Sequence, residues 1–390
     1  VSGKGASRGG IWPAGHLQPA QCQPVLRKSR NTGDCGRSCS NPSSFMEKAD
    51  AAVDCRGNDP LYGFGADGLL RQVERKDQRM LQIRRKNMEI KHWTYEDFPE
   101  FDQPVEGAEI LSTTGDEVGF SYFHDVEYAN VEKIPLHLQI IKPFTRNEPK
   151  KIYPCMVFVQ GSAWMKQDVY AKIPMLARLA GKGYAIAVVE YRHSGQAPFP
   201  AQALDARNAV RFMRKNSKSY QIDPEKIVIG GDSSGGHTAM FAGILQDDDQ
   251  ATNLYPGISA SVKGILNYYG SVSVMLEDSN PTTINHHMPD SPEGMEMGGV
   301  NLKERPDLCR KLSVECNITE DTDLPPVLIF HGTKDRIVNT RQSVNLYRRL
   351  KETGKEACLY LIRGADHGGA EFWTEETCNI ADRFIKKCLS

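Results

Sequence analysis

The stretch from Ile227 to Met240 reads I-V-I-G-G-D-S-S-G-G-H-T-A-M. It constrains the chain more than any other. Ile227, Val228 and Ile229 form a short apolar run of β-branched residues, the composition of a buried strand. Gly231-Asp232-Ser233-Ser234-Gly235 follows as G-x-S-x-G, and after it come small residues and then Met240, Phe241, Ile244 and Leu245, which read as a helix. Strand, tight turn and helix in that order can lift one serine out of a sheet at strained backbone angles. Such a turn leaves no room for side chains two residues before and two after its tip. Gly231 and Gly235 meet that need, and Gly236 lets the helix pack close. The Ser233 hydroxyl is then expected at the carboxyl edge of the sheet, beside a helix N-terminus whose free N–H groups favour negative charge.

Around this turn the chain alternates strands and helices. Strands are predicted at Val118–Tyr128 and Leu136–Ile141 as an antiparallel pair, then at Cys155–Gln160, Ala185–Glu190, the 227 strand, Val262–Tyr269, Val327–His331 and Leu359–Ile362. Helices are predicted at Tyr170–Ala180, Ala201–Lys215, after the turn, at Thr340–Lys351 and at Phe372–Lys387. The pattern predicts an α/β fold with a mostly parallel eight-stranded sheet and helices on both faces. Residues 270–326 break the alternation. They carry Pro281, Pro289, Pro292 and Pro306 with Met275, Met288, Met295 and Met297, and are too long for a bare connection. This segment is expected to be either a lid or substrate-binding insertion over the sheet's carboxyl edge or a poorly ordered loop.

The domain reading places the α/β domain at 106–390, a charged, partly helical segment at 46–105, and a disordered or non-native extension at 1–45. The last is rich in Gly, Ser, Pro and Arg without periodicity. Between 68 and 92 charges of both signs alternate around a weak apolar stripe, which reads as a solvated helix rather than a polyanion-binding face. Net charge is −1, so the totals point to no nucleic-acid partner. No run of 18 apolar residues exists, so no membrane span is expected. No secretory signal is legible, which gives a cytoplasmic expectation. The ten cysteines contain no C-x-x-C pair and read as free thiols. Cys22, Cys35 and Cys39 cluster, but without the second pair that a structural zinc site needs, so no metal is expected.

A serine hydroxyl needs a base within hydrogen-bond reach, and the base needs an acid that orients it. The order Ser, Asp, His is met by Ser233, by Asp335 in F-H-G-T-K-D after the 327 strand, and by His367 in G-A-D-H-G after the 359 strand. Each candidate alone has an ordinary structural explanation as a turn or cap residue. Their arrival in this order at successive strand ends is what points to chemistry. Asp366 is a rival acid, but sequence neighbours point apart. His237 is expected to turn away along its helix, and His331 to be a hydrogen-bonded structural residue. For the oxyanion hole the expected donors are the N–H groups of Ser162, Ala163 and Ser234, the first two in the loop Q-G-S-A-W after the 155 strand. Trp164, in the same loop, is expected as a wall for the substrate.

G-D-S-S-G-G-H, H-G-T-K-D, G-A-D-H-G and Q-G-S-A-W together resemble the α/β-hydrolase superfamily, esterase and lipase type, over about residues 105–390. Gln160 stands where many of those enzymes carry the His of H-G-G-G. Q-G-S-A-W, Y-R-H-S-G-Q-A-P-F-P-A-Q and F-H-G-T-K-D resemble more closely a branch of bacterial carbohydrate-active esterases, similar to feruloyl and acetyl-xylan esterases. The resemblance implies an α/β-hydrolase fold and a serine carboxylic-ester hydrolase with no cofactor. It implies an ester or acylated carbohydrate as small-molecule substrate. Two other readings stand beside it. One is a prolyl-oligopeptidase-like peptidase or amidase, which uses the same triad behind a large excluding domain that residues 1–105 are too short and too charged to form. The other is a non-catalytic binding module of the same fold, a class that typically lacks one of the three residues present here.

Overall fold

The computed structural model describes residues 92–245, 253–275 and 280–390. The expectations for 1–45, for the helix at 68–92 and for the cluster Cys22, Cys35 and Cys39 lie outside the described residues. A compact unit runs from Val105 to Ser390.

Its frame is one eight-stranded sheet in the order β1-β2-β4-β3-β5-β6-β7-β8. The strands are β1 (Gly119–Val131), β2 (Ile134–Phe144), β3 (Tyr153–Val159), β4 (Ala185–Val189), β5 (Ile222–Asp232), β6 (Ile265–Tyr268), β7 (Val327–Gly332) and β8 (Ala357–Ile362). β1 pairs antiparallel with β2, and β2 with β4; from β3 to β8 the pairs are parallel. This is the α/β-hydrolase fold. The expected strands are all present, with ends shifted by a few residues. The main departure is β5, which starts at Ile222 rather than Ile227 because Tyr153 at the start of β3 pairs with Ile222.

The central strands are apolar without alternation because both faces are covered. Cys155, Val157 and Val159 of β3 point into one core with Ala185, Ala187 and Val189 of β4 and Ile227 and Ile229 of β5. Met156 and Phe158 point into the other with Ile186, Val188 and Val228. The first face is covered by α2 (Ala201–Lys215), α3 (Ser234–Ile244) and α4 (Arg341–Glu352), through residues such as Val210, Met213, Met240 and Leu346. The second is covered by α1 (Ile173–Ala180) and α5 (Glu375–Leu389), through Leu176, Leu179, Phe384 and Ile385. The six described cysteines, Cys155, Cys309, Cys316, Cys358, Cys378 and Cys388, are free thiols.

Residues 270–326 contain short helices at Pro292–Glu296 and Pro306–Leu312 and single 3-10 turns at Leu302–Glu304 and Val314–Asn317. Val274, Leu302, Cys309 and Leu312 give the segment a small apolar core of its own. Ser291 caps the first helix by accepting from the Gly294 amide, and Pro292 opens it.

Parallel register fixes where the strands end. Val159 pairs with Gly231, Asp232 with Tyr268, Tyr268 with Phe330, and Gly332 with Ile362. The loops after β3, β5, β7 and β8 therefore leave the sheet at one edge. At the start of α3 the packing is backbone on backbone: a Cβ at Gly235 would lie 2.0 Å from the Val159 carbonyl oxygen. Gly235→Ala is expected to lower the thermal unfolding midpoint by at least about 4 °C, since neither backbone can yield cheaply. Gly181→Ala serves as control, because its Cβ meets nothing closer than 3.4 Å. Scanning calorimetry of both chains reads the difference, and equal midpoints would contradict so close an approach.

Candidate active site

Ser233 lies between β5 and α3 at φ 51° and ψ −126°, a conformation unfavourable for any residue with a Cβ. Its amide donates to the Tyr268 carbonyl at 3.0 Å, and its own carbonyl accepts from the Ser271 amide at 3.2 Å. Fixed on both sides, the hydroxyl faces the loop after β8. Ser233 Oγ lies 2.8 Å from His367 Nε2, and His367 Nδ1 lies 2.8 Å from Asp335 Oδ2. The structure thus brings together, in one hydrogen-bonded line, the three side chains that the sequence singles out.

The proton positions follow from the partners. A carboxylate only accepts, so Asp335 holds the proton on Nδ1 of His367 and leaves Nε2 bare toward the serine hydroxyl. Asp335 is buried, and burial works to raise its pKa. Hydrogen bonds from His331 and His367 outweigh it, and the carboxyl stays well below its usual range. Its Oδ1 also accepts from the amides of Ile337 and Val338, at 3.0 and 2.8 Å.

His331 is a structural histidine, as expected, and does more. Its Nε2 lies 2.9 Å from the Val338 carbonyl and 3.2 Å from Asp335 Oδ2. Both are acceptors, so Nε2 carries the proton, and Nδ1 accepts from the Ser343 hydroxyl at 2.7 Å. Asp335 therefore receives two imidazole N–H groups. Only the position of His331 four residues before Asp335 in the strand-to-loop turn could have signalled this. Asp366 is not the acid. It accepts from the Arg336 amide and guanidinium and from the His367 amide.

The loop after β3 departs from the expected set of donors. The Ser162 amide donates to Ser234 Oγ at 2.9 Å and is not free for an oxyanion. Ser234, next to the nucleophile candidate, has a hydroxyl that sequence reading gave no role; it pins the loop. The amides of Ala163 and Ser234 have no acceptor among the described residues. Ala163 and Trp164 both take left-handed φ, 55° and 54°, which turns the chain sharply at this point. Gly161 allows the approach: its amide donates to Asp232 Oδ1 at 2.9 Å, and a Cβ there would lie 2.7 Å from the Cβ of Ser233. Gln160 is buried, and its amide nitrogen donates to the Asp168 carbonyl.

Trp164 is corrected as well. Its indole is 1% exposed and packs edge-to-face on His237, 5.1 Å between ring centroids. It is a packing residue and not an open wall. His237 turns away from Ser233 as expected and donates from Nε2 to the Leu312 carbonyl at 2.9 Å, while burial pulls its imidazole down to about 4. Its bare Nδ1 lies 3.7 Å from Glu296 Oε1. Glu296 is fully buried with neither carboxyl oxygen hydrogen-bonded among the described residues. Burial, then the charge of Glu293, push its carboxyl well above the usual range. No pattern in the sequence marks this acid for the interior.

Among the described residues no group of His, Cys, Asp and Glu is arranged to hold a metal ion, and no helix is long and apolar enough to cross a membrane.

Glu296 makes stability depend on pH in a definite direction. The unfolded chain ionises this carboxyl near its ordinary pKa while the folded chain keeps it protonated. Raising pH from 5 to 8 therefore favours unfolding, at up to about 1.4 kcal/mol per pH unit until the folded pKa is reached. Glu296→Gln removes the term. The variant is expected to match the parent near pH 5 and to exceed it at pH 8 in urea unfolding; parallel pH curves would refute a protonated Glu296.

Several known proteins resemble this chain. Esterase LipC of Mycobacterium tuberculosis is 27% identical over 234 residues, 59% of this chain and 57% of LipC. The chain spans about half the length of the curated relatives it matches. A truncated carbohydrate esterase from gut microbiota superposes with a TM-score of 0.60 at 27% identity, covering 69% of this chain and 96% of that one. A bifunctional GH43-CE protein of Bacteroides eggerthii gives 0.59 at 27% identity, covering 69% of this chain and 38% of that one. The BD-FAE family profile matches residues 138–350, which run from β2 through α4 and include Ser233 and Asp335, and the chain belongs to that family.

Proposed function

We propose that the protein is a serine carboxylic-ester hydrolase that works through an acyl-enzyme, with short acyl or feruloyl esters of carbohydrates as its substrates. The observation that carries the reading is the line Ser233–His367–Asp335, with 2.8 Å at each link and Nε2 bare. The relatives named for ester hydrolysis and the two carbohydrate-esterase neighbours support the ester and carbohydrate parts.

In this mechanism Ser233 Oγ attacks the ester carbonyl carbon as its proton passes to His367 Nε2. Asp335 remains ionised and stabilises the imidazolium. The oxyanion is held by the amides of Ala163 and Ser234, while Ser162 fixes the loop through Ser234 Oγ. Collapse of the tetrahedral species breaks the bond to the alcohol oxygen, which takes the proton from Nε2. Water, activated by the same nitrogen, then releases the acid and restores Ser233. The chemistry draws on no metal or organic cofactor. Residues 270–326 serve as the substrate-binding insertion. They reach the reaction centre at Ser271, whose amide holds the Ser233 carbonyl, and the loop after Asp335 at Thr283, whose amide donates to the Arg336 carbonyl.

A panel of acetyl, butyryl, feruloyl and p-coumaroyl esters, compared between the parent and Ser233→Ala, tests the reading. The variant is expected to lose about 10⁴- to 10⁶-fold in kcat on every ester that the parent cleaves. Equal turnover by the two chains would rule out the acyl-enzyme. Cleavage of proline peptides with no turnover of esters would favour the peptidase class instead.

A further inference from the structure

The backbone of His367 is held on one side only, where its amide donates to Asp366 Oδ1 at 2.8 Å. It precedes Gly368 and Gly369, both at positive φ, 83° and 103°. Its imidazole is tethered at Nδ1 by Asp335 and at Nε2 by Ser233, and the second tether is the bond that breaks in the reaction. A ring held only at Nδ1 can still swing about that bond. What flanks it is Tyr269, whose ring lies 5.0 Å from the imidazole, centroid to centroid, at 71°.

Tyr269 is itself fixed at every end. Its backbone takes φ 41°, left-handed and unfavourable for an aromatic residue. Its amide donates to the Phe330 carbonyl at 2.7 Å, which holds that conformation from the end of β7. Its ring packs on Phe372 at 4.3 Å. Its hydroxyl donates to Asp232 Oδ2 at 3.1 Å, and burial raises the phenol's pKa so that it stays a donor. Asp232 is buried beside the nucleophile in sequence. It also accepts the Gly161 amide and pairs with Lys172 at 3.3 Å. One carboxylate thus joins the loop after β3, the residue before Ser233 and the ring beside His367.

We infer that Tyr269 is a positioning residue: braced on Asp232, its ring keeps the His367 imidazole aligned as the proton moves between Ser233 and the alcohol. The inference rests on the ester-hydrolase reading for its kinetic consequence, though not for its geometry.

Tyr269→Leu removes the ring, and Tyr269→Phe keeps the ring but removes the brace. The first is expected to lower kcat on the order of 10²-fold, the cost of a small misplacement of a reacting group, with little change in KM. The second is expected to lower it roughly three- to tenfold, the worth of one hydrogen bond. Acylation and deacylation, separated by stopped-flow on a nitrophenyl ester, fall by the same factor, because one imidazole serves both steps. The His367 Nδ1 proton, shifted far downfield in NMR by its bond to Asp335, broadens in Tyr269→Leu at a temperature where circular dichroism shows the chain folded. A kcat within twofold of the parent in both variants, or an unchanged Nδ1 resonance in Tyr269→Leu, overturns the inference. If Tyr269→Leu does not fold, Tyr269→Phe decides alone by the same two readings. Undiminished hydrolysis in Ser233→Ala sinks the acyl-enzyme reading, and the resonance then decides the role of Tyr269 by itself.

Discussion

A single backbone conformation governs the molecule. Ser233 sits at a left-handed φ at the end of β5, and the neighbouring elements each contribute to keeping it there. Such a residue persists only where its surroundings over-determine it. Here β6 accepts its amide, the start of the 270–326 segment holds its carbonyl, and α3 begins so close to β3 that Gly235 leaves no space for a methyl group. The parallel register supplies the rest. Because Val159, Gly231, Asn267 and Ile329 run in step across the sheet, loops far apart in sequence leave it side by side. The cost of the strained turn is spread over a packed core with two faces, which a sheet covered on both sides provides.

Electrostatics complete what the turn begins. An ionised carboxylate is costly to bury unless every lone pair has a donor. Asp335 has four: two imidazole N–H groups on Oδ2 and two amides on Oδ1. The bonds from His331 and His367 lower its pKa despite burial, and an ionised Asp335 is what sets the tautomer of His367. Glu296 is the opposite case. It is as deeply buried but without donors, and it keeps its proton. Environment, and not residue type, assigns the two acids to different states.

Strand positions were legible in the sequence because the central strands are covered on both faces, so their apolar runs are unbroken and bounded by turns. The three side chains of the hydrogen-bonded line were legible because each follows a strand by a few residues in an order that the topology demands. The Ser162 amide was misjudged for a physical reason: whether an amide is free depends on a side chain from another loop, here Ser234 Oγ, and no spacing along the chain reports it. Trp164 was misjudged because a large aromatic at a loop tip can face solvent or core, and two successive left-handed residues turn this one inward onto His237. Tyr269 and Glu296 gave no signal, and His331 was legible only as a structural histidine, since each acts through contacts across elements. The boundaries of β5 and β6 moved because pairing with neighbouring strands, not composition, decides where a ladder stops.

Asp366 shows how a residue excluded from the chemistry can still serve it. It adjoins His367 in sequence, while Arg336 adjoins Asp335. Asp366 Oδ1 accepts from the Arg336 and His367 amides, and its other oxygen accepts from the Arg336 guanidinium at 2.7 Å. An exposed ion pair by itself adds little to stability. The two amide bonds are directional, however, and they hold the backbone beside the acid to the backbone beside the base. The loops after β7 and β8 are therefore joined through Asp335 and His367, through their neighbours, and by the Lys334 amide on the Ala365 carbonyl at 3.0 Å. A junction of this kind fixes the distance between acid and base even while the imidazole exchanges its partner at Nε2. That is the requirement a proton shuttle places on two loops that continue beyond the pairing of β7 with β8.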